Sequence, residues 1–159
     1  MLAALQAYYA DVRECVKSID GLTDNFVSSI GVKQGCPLSP TLFGFYIDAV
    51  EDCVCANVAN RSTARINGTP VPLLLYADDL VFLASSQIEL QQLLDIFSDF
   101  CTTFELTVNM DKTETLVFSR SRVGVKVEVY YRQQLVPQNT KYKYLGIIFT
   151  ATYGAKLGG

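Results

Sequence analysis

Residues 72–85 read PLLLYADDLVFLAS, two short apolar runs with adjacent carboxylates, Asp78 and Asp79, set between them. Burying an ionised carboxylate costs several kcal/mol unless a hydrogen bond, an opposite charge or a metal offsets it. Two side by side also repel. Residues 73–76 and 80–84 look like strands, and only Ala77, Asp78 and Asp79 separate them. The stretch therefore predicts a tight hairpin with the acids at its tip. A tip keeps the apolar strands in a sheet and lets both carboxylates project at its edge. Successive strand residues point to opposite faces, so the two acids need not do the same job. Oxygen donors of this kind suit Mg²⁺, which binds through one or two carboxylates plus substrate phosphates. Acids at an ordinary exposed turn are the simpler alternative.

Working outward, Ser86 and Glu89 form a Ser-x-x-Glu capping box. The helix it starts carries Leu90, Leu93, Leu94, Phe97, Cys101 and Phe104 at three- and four-residue spacing. Upstream, residues 40–59 have a similar period in Phe43, Tyr46, Ile47, Val50, Cys53 and Val54, with Ser39 as N-cap and Pro40 in the first turn. Residues 2–9 also look helical, and VRECVKSIDGLTDNFVSSIGV reads as two strands around a turn at Asp20-Gly21. Asn67-Gly68 marks a loop. LTVN, ETLVF, VKVEVYYR and KYKYLGIIF, all downstream, are strand-like, and the tail GAKLGG looks unstructured. Helices interleave with strands that are at least partly antiparallel, which is an α+β layer: a sheet with helices on one face.

The 159 residues are half hydrophobic, enough for a real core. No run of about eighteen apolar residues occurs, which excludes a membrane-spanning helix. The start, MLAALQAYYADVREC, lacks a basic region and does not read as a signal peptide. Five cysteines in no framework spacing suggest reduced thiols and an intracellular setting. The absence of histidine removes the usual general base. A net charge of −3 argues mildly against a nucleic-acid surface.

Four motifs in order carry a family resemblance. YADD between apolar strands resembles the catalytic hairpin of reverse transcriptases. GVKQGCPLSPTLFGFYID, residues 31–48, resembles their Gln-Gly loop and following helix as worded in non-LTR retrotransposon and group II intron enzymes. NMDKTETLVF, residues 109–118, resembles the Asn-x-x-Lys-Thr element, and YKYLGIIF, residues 142–149, resembles the Tyr-Leu-Gly strand.

The resemblance implies a palm-type antiparallel sheet with helices packed on one face. It would span residues 1–150, with residues 151–159 as a tail. It implies RNA-directed DNA synthesis by two-metal-ion nucleotidyl transfer, with Asp78 and Asp79 as catalytic metal ligands for Mg²⁺, or Mn²⁺ in its place. Gln34 and Gly35 would contact nucleotide or template, although the residues alone read rather as a tight turn leading into a helix. Lys112 would sit near the leaving pyrophosphate; alone it reads as a solvated lysine. Tyr144, Leu145 and Gly146 read as mostly core, their backbone and ring bordering the primer. The implied partners are an RNA template, a DNA primer and deoxynucleoside triphosphates. A eukaryotic retroelement would place the chain in the nucleus.

One palm aspartate, expected on a strand before the Gln-Gly loop, has no counterpart in residues 1–30. The palm is therefore expected to be incomplete at its N-terminal side, lacking basic fingers and a thumb, which would account for the acidic balance. An isolated chain is expected to be inactive. The competing expectation is a non-catalytic retroelement remnant that binds RNA or a protein partner. A receiver-type signalling domain fits poorly, because its acidic pair precedes a helix rather than joining two strands.

Overall fold

The computed structural model describes residues 2–27, 31–33, 35–58, 64–119 and 124–151. The chain divides into two compact units, Met1–Ile47 and Asp48–Gly159.

The first unit begins with helix α1 (Leu2–Tyr9). Strands β1 (Arg13–Glu14), β2 (Lys17–Ser18), β3 (Gly21–Leu22) and β4 (Phe26–Val27) follow as nested antiparallel pairs, β1 with β4 and β2 with β3. The expected reversal at Asp20-Gly21 occurs one residue earlier, at residues 19–20. The Ser18 hydroxyl explains the shift: it accepts from the Asp20 amide at 3.2 Å and donates to the Gly21 carbonyl at 3.3 Å. Helix α2 (Ser39–Val58) starts in this unit and ends in the second. Its buried stripe is Val50, Val54 and Val58, four residues apart, whereas Tyr46, expected inward, is exposed.

The second unit continues with β5 (Arg65–Ile66) and β6 (Thr69–Pro70), a hairpin turning at Asn67-Gly68. Next come β7 (Leu73–Tyr76) and β8 (Asp79–Phe82), then helix α3 (Gln87–Thr103). The capping box forms: Ser86 Oγ accepts from the Glu89 amide at 3.2 Å. The Glu89 carboxylate reaches back to the Ser85 amide at 2.8 Å, one residue before the cap. At the other end, the Leu106 amide donates to the Cys101 carbonyl at 2.8 Å while Glu105 takes φ 52°, a Schellman-like stop without glycine.

Beyond α3, LTVN is not a strand, and a 3-10 turn covers Met110–Lys112. The remaining strands are β9 (Thr115–Leu116), β10 (Tyr130–Tyr131), β11 (Gln134–Leu135), β12 (Gln138–Asn139), β13 (Lys141–Tyr144) and β14 (Ile147–Thr150). Helices and mostly antiparallel strands make the chain α+β. Among the described residues, however, the strands pair as seven two-stranded ladders and no continuous sheet forms; β9 with β12 is the parallel pair.

The stretch VKVEVYYR shows why. Only its residues 130–131 are strand, because glutamine side chains occupy the backbone groups that a neighbouring strand would use. Gln91 donates to the Tyr130 carbonyl and accepts from the Tyr130 amide, both at 2.8 Å. Gln87 donates to the Glu128 carbonyl at 2.9 Å. On the Gln138 side chain, the carbonyl oxygen accepts from the Val127 amide and the NH₂ donates to the Val125 carbonyl, each at 2.8 Å. A carboxamide carries one carbonyl acceptor and an NH₂ donor, so it can imitate a peptide group.

The core of this unit lies under α3. Leu94, Val129, Tyr131 and Val136 are buried together, with Phe82, Leu90, Phe97, Val108 and Met110 packed against them. Phe97 meets Phe82 edge-on at 5.3 Å between ring centroids. That contact fixes the far end of β8 to the helix, and so mounts the carboxylate hairpin on the core.

Candidate active site

The β7–β8 ladder pairs Leu73 with Phe82, Leu74 with Val81, Leu75 with Leu80 and Tyr76 with Asp79. The loop is therefore Ala77-Asp78, one residue shorter than the sequence spacing suggests, and Asp79 already belongs to β8. Two-residue hairpin turns need positive φ, and Ala77 supplies it at 51°. Both Asp78 and Asp79 are exposed. The tip thus gives each carboxylate its exit to water, and the apolar residues behind it carry no burial penalty for the charges.

The YKYLGIIF stretch is a second hairpin rather than a single strand. β13 and β14 pair Lys141 with Thr150, Tyr142 with Phe149, Lys143 with Ile148 and Tyr144 with Ile147. Leu145 (φ 48°) and Gly146 (φ 84°) form the turn. Two successive positive φ angles reverse the chain there, so the reading of Tyr144, Leu145 and Gly146 as mostly core is corrected. Leu145 and Gly146 are exposed and Tyr144 is half-buried.

Tyr142 lies on β13 and is half-buried. Burial raises its hydroxyl above the ordinary tyrosine range, and the carboxylates of Asp79 and Glu114 raise it further, with Tyr144 adding a smaller push. Tyr142 and Glu114 escaped the sequence reading. The available signal was parity: Tyr142 and Tyr144 are two apart on one strand and share a face.

Lys112 ends the 3-10 turn and is exposed. Asn109 caps that turn, its side-chain oxygen accepting from the Asp111 amide at 3.1 Å and its carbonyl from the Lys112 amide at 3.2 Å. Among the described residues Lys112 makes no ion pair, so its ammonium is available to an anion.

In the first unit, Gln34 lies outside the described residues. Gly35 (φ 78°) is the third residue of a turn closed by the Cys36 amide on the Lys33 carbonyl at 3.2 Å. That position of a type II turn favours glycine. Among the described residues a Cβ placed there would meet nothing within 4 Å, so it is backbone conformation that demands the glycine. The loop is held by Ser39, whose hydroxyl donates to the Lys33 carbonyl at 2.6 Å and lies 3.1 Å from the Tyr9 hydroxyl. Cys36 is pushed down to about 7, first by the Leu38 amide and then by the Tyr9 hydroxyl, both of which favour the thiolate.

Asp78 and Asp79 provide hard oxygen donors, the kind Mg²⁺ takes. No group of three or more His, Cys, Asp or Glu suited to an ion occurs among the described residues. The pair fits an ion shared with a substrate's phosphates better than an all-protein cage. No helix among the described residues is long and apolar enough to cross a membrane.

The family follows from comparison. The chain belongs to the reverse transcriptase (RNA-dependent DNA polymerase) family, whose model matches residues 2–149. It is 33% identical over 138 residues to the Pol polyprotein of the type-2 retrotransposable element R2DM of Drosophila melanogaster, covering 82% of this chain and 13% of that protein. It is 28% identical over 127 residues to the RNA-directed DNA polymerase from mobile element jockey of Drosophila funebris, covering 74% of this chain and 13% of that protein. Against the transposon TX1 uncharacterized 149 kDa protein of Xenopus laevis it is 26% identical over 150 residues, or 92% of this chain and 11% of that protein. The chain thus spans a small fraction of the length of the relatives it matches.

Proposed function

We propose that this chain is part of the palm of an RNA-directed DNA polymerase, residues 1–150 forming the partial palm and residues 151–159 a tail. The observation that carries this is the hairpin tip. Asp78 and Asp79 project into solvent from a ladder whose Phe82 packs on Phe97 of α3. Asp78 and Asp79 hold Mg²⁺, or Mn²⁺ in its place. When bound, such ions activate an attacking hydroxyl and neutralise charge on the leaving pyrophosphate.

The chain's own residues do the positioning. Lys112 offers a point charge to triphosphate oxygens. Gly35, without a Cβ, admits a nucleotide or template strand close to the backbone, with Gln34 next to it in sequence. The turn of Tyr144, Leu145 and Gly146 borders the primer end. Template, primer and deoxynucleoside triphosphates are the partners, and the remaining ligand, fingers and thumb come from other parts of a retroelement polyprotein, which works in the nucleus if the element is eukaryotic. Alone, the chain is inactive, because positioning supplies much of the catalysis in phosphoryl transfer and this site is partial.

The lack of a third clustered ligand among the described residues favours one alternative, a non-catalytic remnant that binds RNA or a protein partner. Primer extension on an RNA template separates the two. With polymerase segments joined on both sides, the chain synthesises DNA, Asp78→Asn abolishes synthesis, and Asp79→Asn reduces it less. Wild-type-like extension by the Asp78 variant rejects the metal-ligand role. No extension by the joined wild type favours the remnant. Extension by the isolated 159-residue chain that Asp78→Asn removes shows the site to be complete.

A further inference from the structure

Helix α1 adds little to a core. Among its described side chains none is buried; Leu5 and Tyr9 are half-buried and the others are exposed. Its last residue nevertheless reaches partners 27 and 30 residues downstream, Cys36 and Ser39.

Both terminal tyrosines of the helix bear on Lys33, the residue that opens the turn around Gly35. The Lys33 ammonium lies over the Tyr8 ring, 4.8 Å from its centroid. The Lys33 carbonyl accepts twice, from the Cys36 amide at 3.2 Å and from the Ser39 hydroxyl at 2.6 Å. Behind Ser39 stands the Tyr9 hydroxyl at 3.1 Å, which also lies 3.7 Å from the Cys36 sulfur. Tyr8 and Tyr9 brace each other edge-on, their ring centroids 5.3 Å apart.

Proton counting gives this chain of contacts a direction. A hydroxyl has one proton to donate. Ser39 gives its proton to the Lys33 carbonyl, so toward Tyr9 it is the acceptor. Tyr9 therefore donates, with the Ser39 oxygen as the nearer acceptor and the Cys36 sulfur as the farther. Hydrogen bonds linked in this way polarise and strengthen one another. Ser39 is only 5% exposed and Cys36 is buried, so water does not readily take the place of the Tyr9 hydroxyl. Gly35 has no side chain with which to anchor itself, so where its backbone stands depends on the residues either side.

We propose that Tyr9 is a positioning residue: through Ser39 its hydroxyl holds the Lys33 carbonyl, and so fixes where the Gly35 backbone meets an incoming nucleotide. It acts through the turn rather than on the substrate. This deepens the polymerase reading and rests on it for the nucleotide.

The test has two readouts. In the full 159-residue chain, hydrogen exchange of the Cys36 amide reports whether the turn is held. Tyr9→Phe keeps the ring and removes only the hydroxyl. It speeds Cys36 exchange about threefold to tenfold, as loss of one ordinary hydrogen bond does, while the buried Val50 and Val54 of α2 exchange as in the wild type. In the chain joined to polymerase segments, single-nucleotide incorporation separates KM from kcat. There Tyr9→Phe raises KM for the deoxynucleoside triphosphate about threefold to tenfold and leaves kcat within about twofold. The Tyr9→Phe/Ser39→Ala double variant does no worse than Ser39→Ala alone, because the relay passes through Ser39.

Unchanged exchange at Cys36 overturns the proposal. So does an unchanged KM when the joined wild type is active, or losses that multiply in the double variant. Exchange that quickens equally at Val50 and Val54 would mean that the variant loosens the helix as a whole, and overturns it too. If the joined wild type makes no DNA while Tyr9→Phe still speeds Cys36 exchange, the polymerase reading falls and the nucleotide with it, leaving Tyr9 as the holder of the turn.

Discussion

In α3, Leu93, Leu94, Phe100 and Cys101 are all buried, while in β14 Ile147, Ile148 and Phe149 are 62%, 66% and 41% exposed. Both elements are rich in apolar side chains and both belong to the second unit. The helix repeats them every three or four residues, so they gather on one stripe and meet a core. The strand runs them consecutively, so they divide between two faces, and a ladder of two strands has little to lay against either. Anchoring and display are thereby separated. Helix α3 holds the unit together, and the hairpins present exposed side chains on backbones that close upon themselves.

The sharpest way to break this contrast is Leu93→Ala. Leu93 is fully buried, and its truncation is expected to cost about 2–5 kcal/mol in urea or thermal unfolding. A loss below about 1 kcal/mol would mean that α3 is not the anchor. Next is Gln91→Leu, which removes both bonds to Tyr130 and leaves the strand's amide and carbonyl without them. A loss of roughly 1–3 kcal/mol is expected, along with faster amide exchange at Tyr130. If exchange there is unchanged, the glutamine does not substitute for a strand.

Ser86→Ala tests the start of the helix, and loss of the cap should cost about 1 kcal/mol. At the other extreme, Ile148→Ala should change stability by no more than about 0.5 kcal/mol, as exposed substitutions usually do. A cost comparable to that of Leu93→Ala would show that the hairpin is itself a packed element.

Local signals made part of this legible in the sequence. The period of Leu90, Leu93, Leu94 and Phe97 announces α3, and Ser86 with Glu89 announces its start. The apolar runs around Ala77, Asp78 and Asp79 give the carboxylate hairpin, and its acids are the clearest element of the site. The second hairpin was hidden because Leu145-Gly146 lacks the Asn-Gly or Asp-Gly wording of a tight turn and sits within an apolar run. The glutamine clamps were hidden because Gln91 and Tyr130 lie 39 residues apart.

The two-residue turn at Ala77-Asp78 also bears on the order of folding. Hairpins of this kind form in about 1–10 μs, because their strands are already adjacent. The clamp from Gln87 must instead find a carbonyl 41 residues away, and closing such a loop costs entropy before any contact rewards it. An isolated two-stranded hairpin is only marginally stable, so the β7–β8 turn is expected to form early and to persist once Phe82 meets Phe97. A chain caught midway would already present Asp78 and Asp79 on a finished turn, while the helix meant to hold them still lacked its partners.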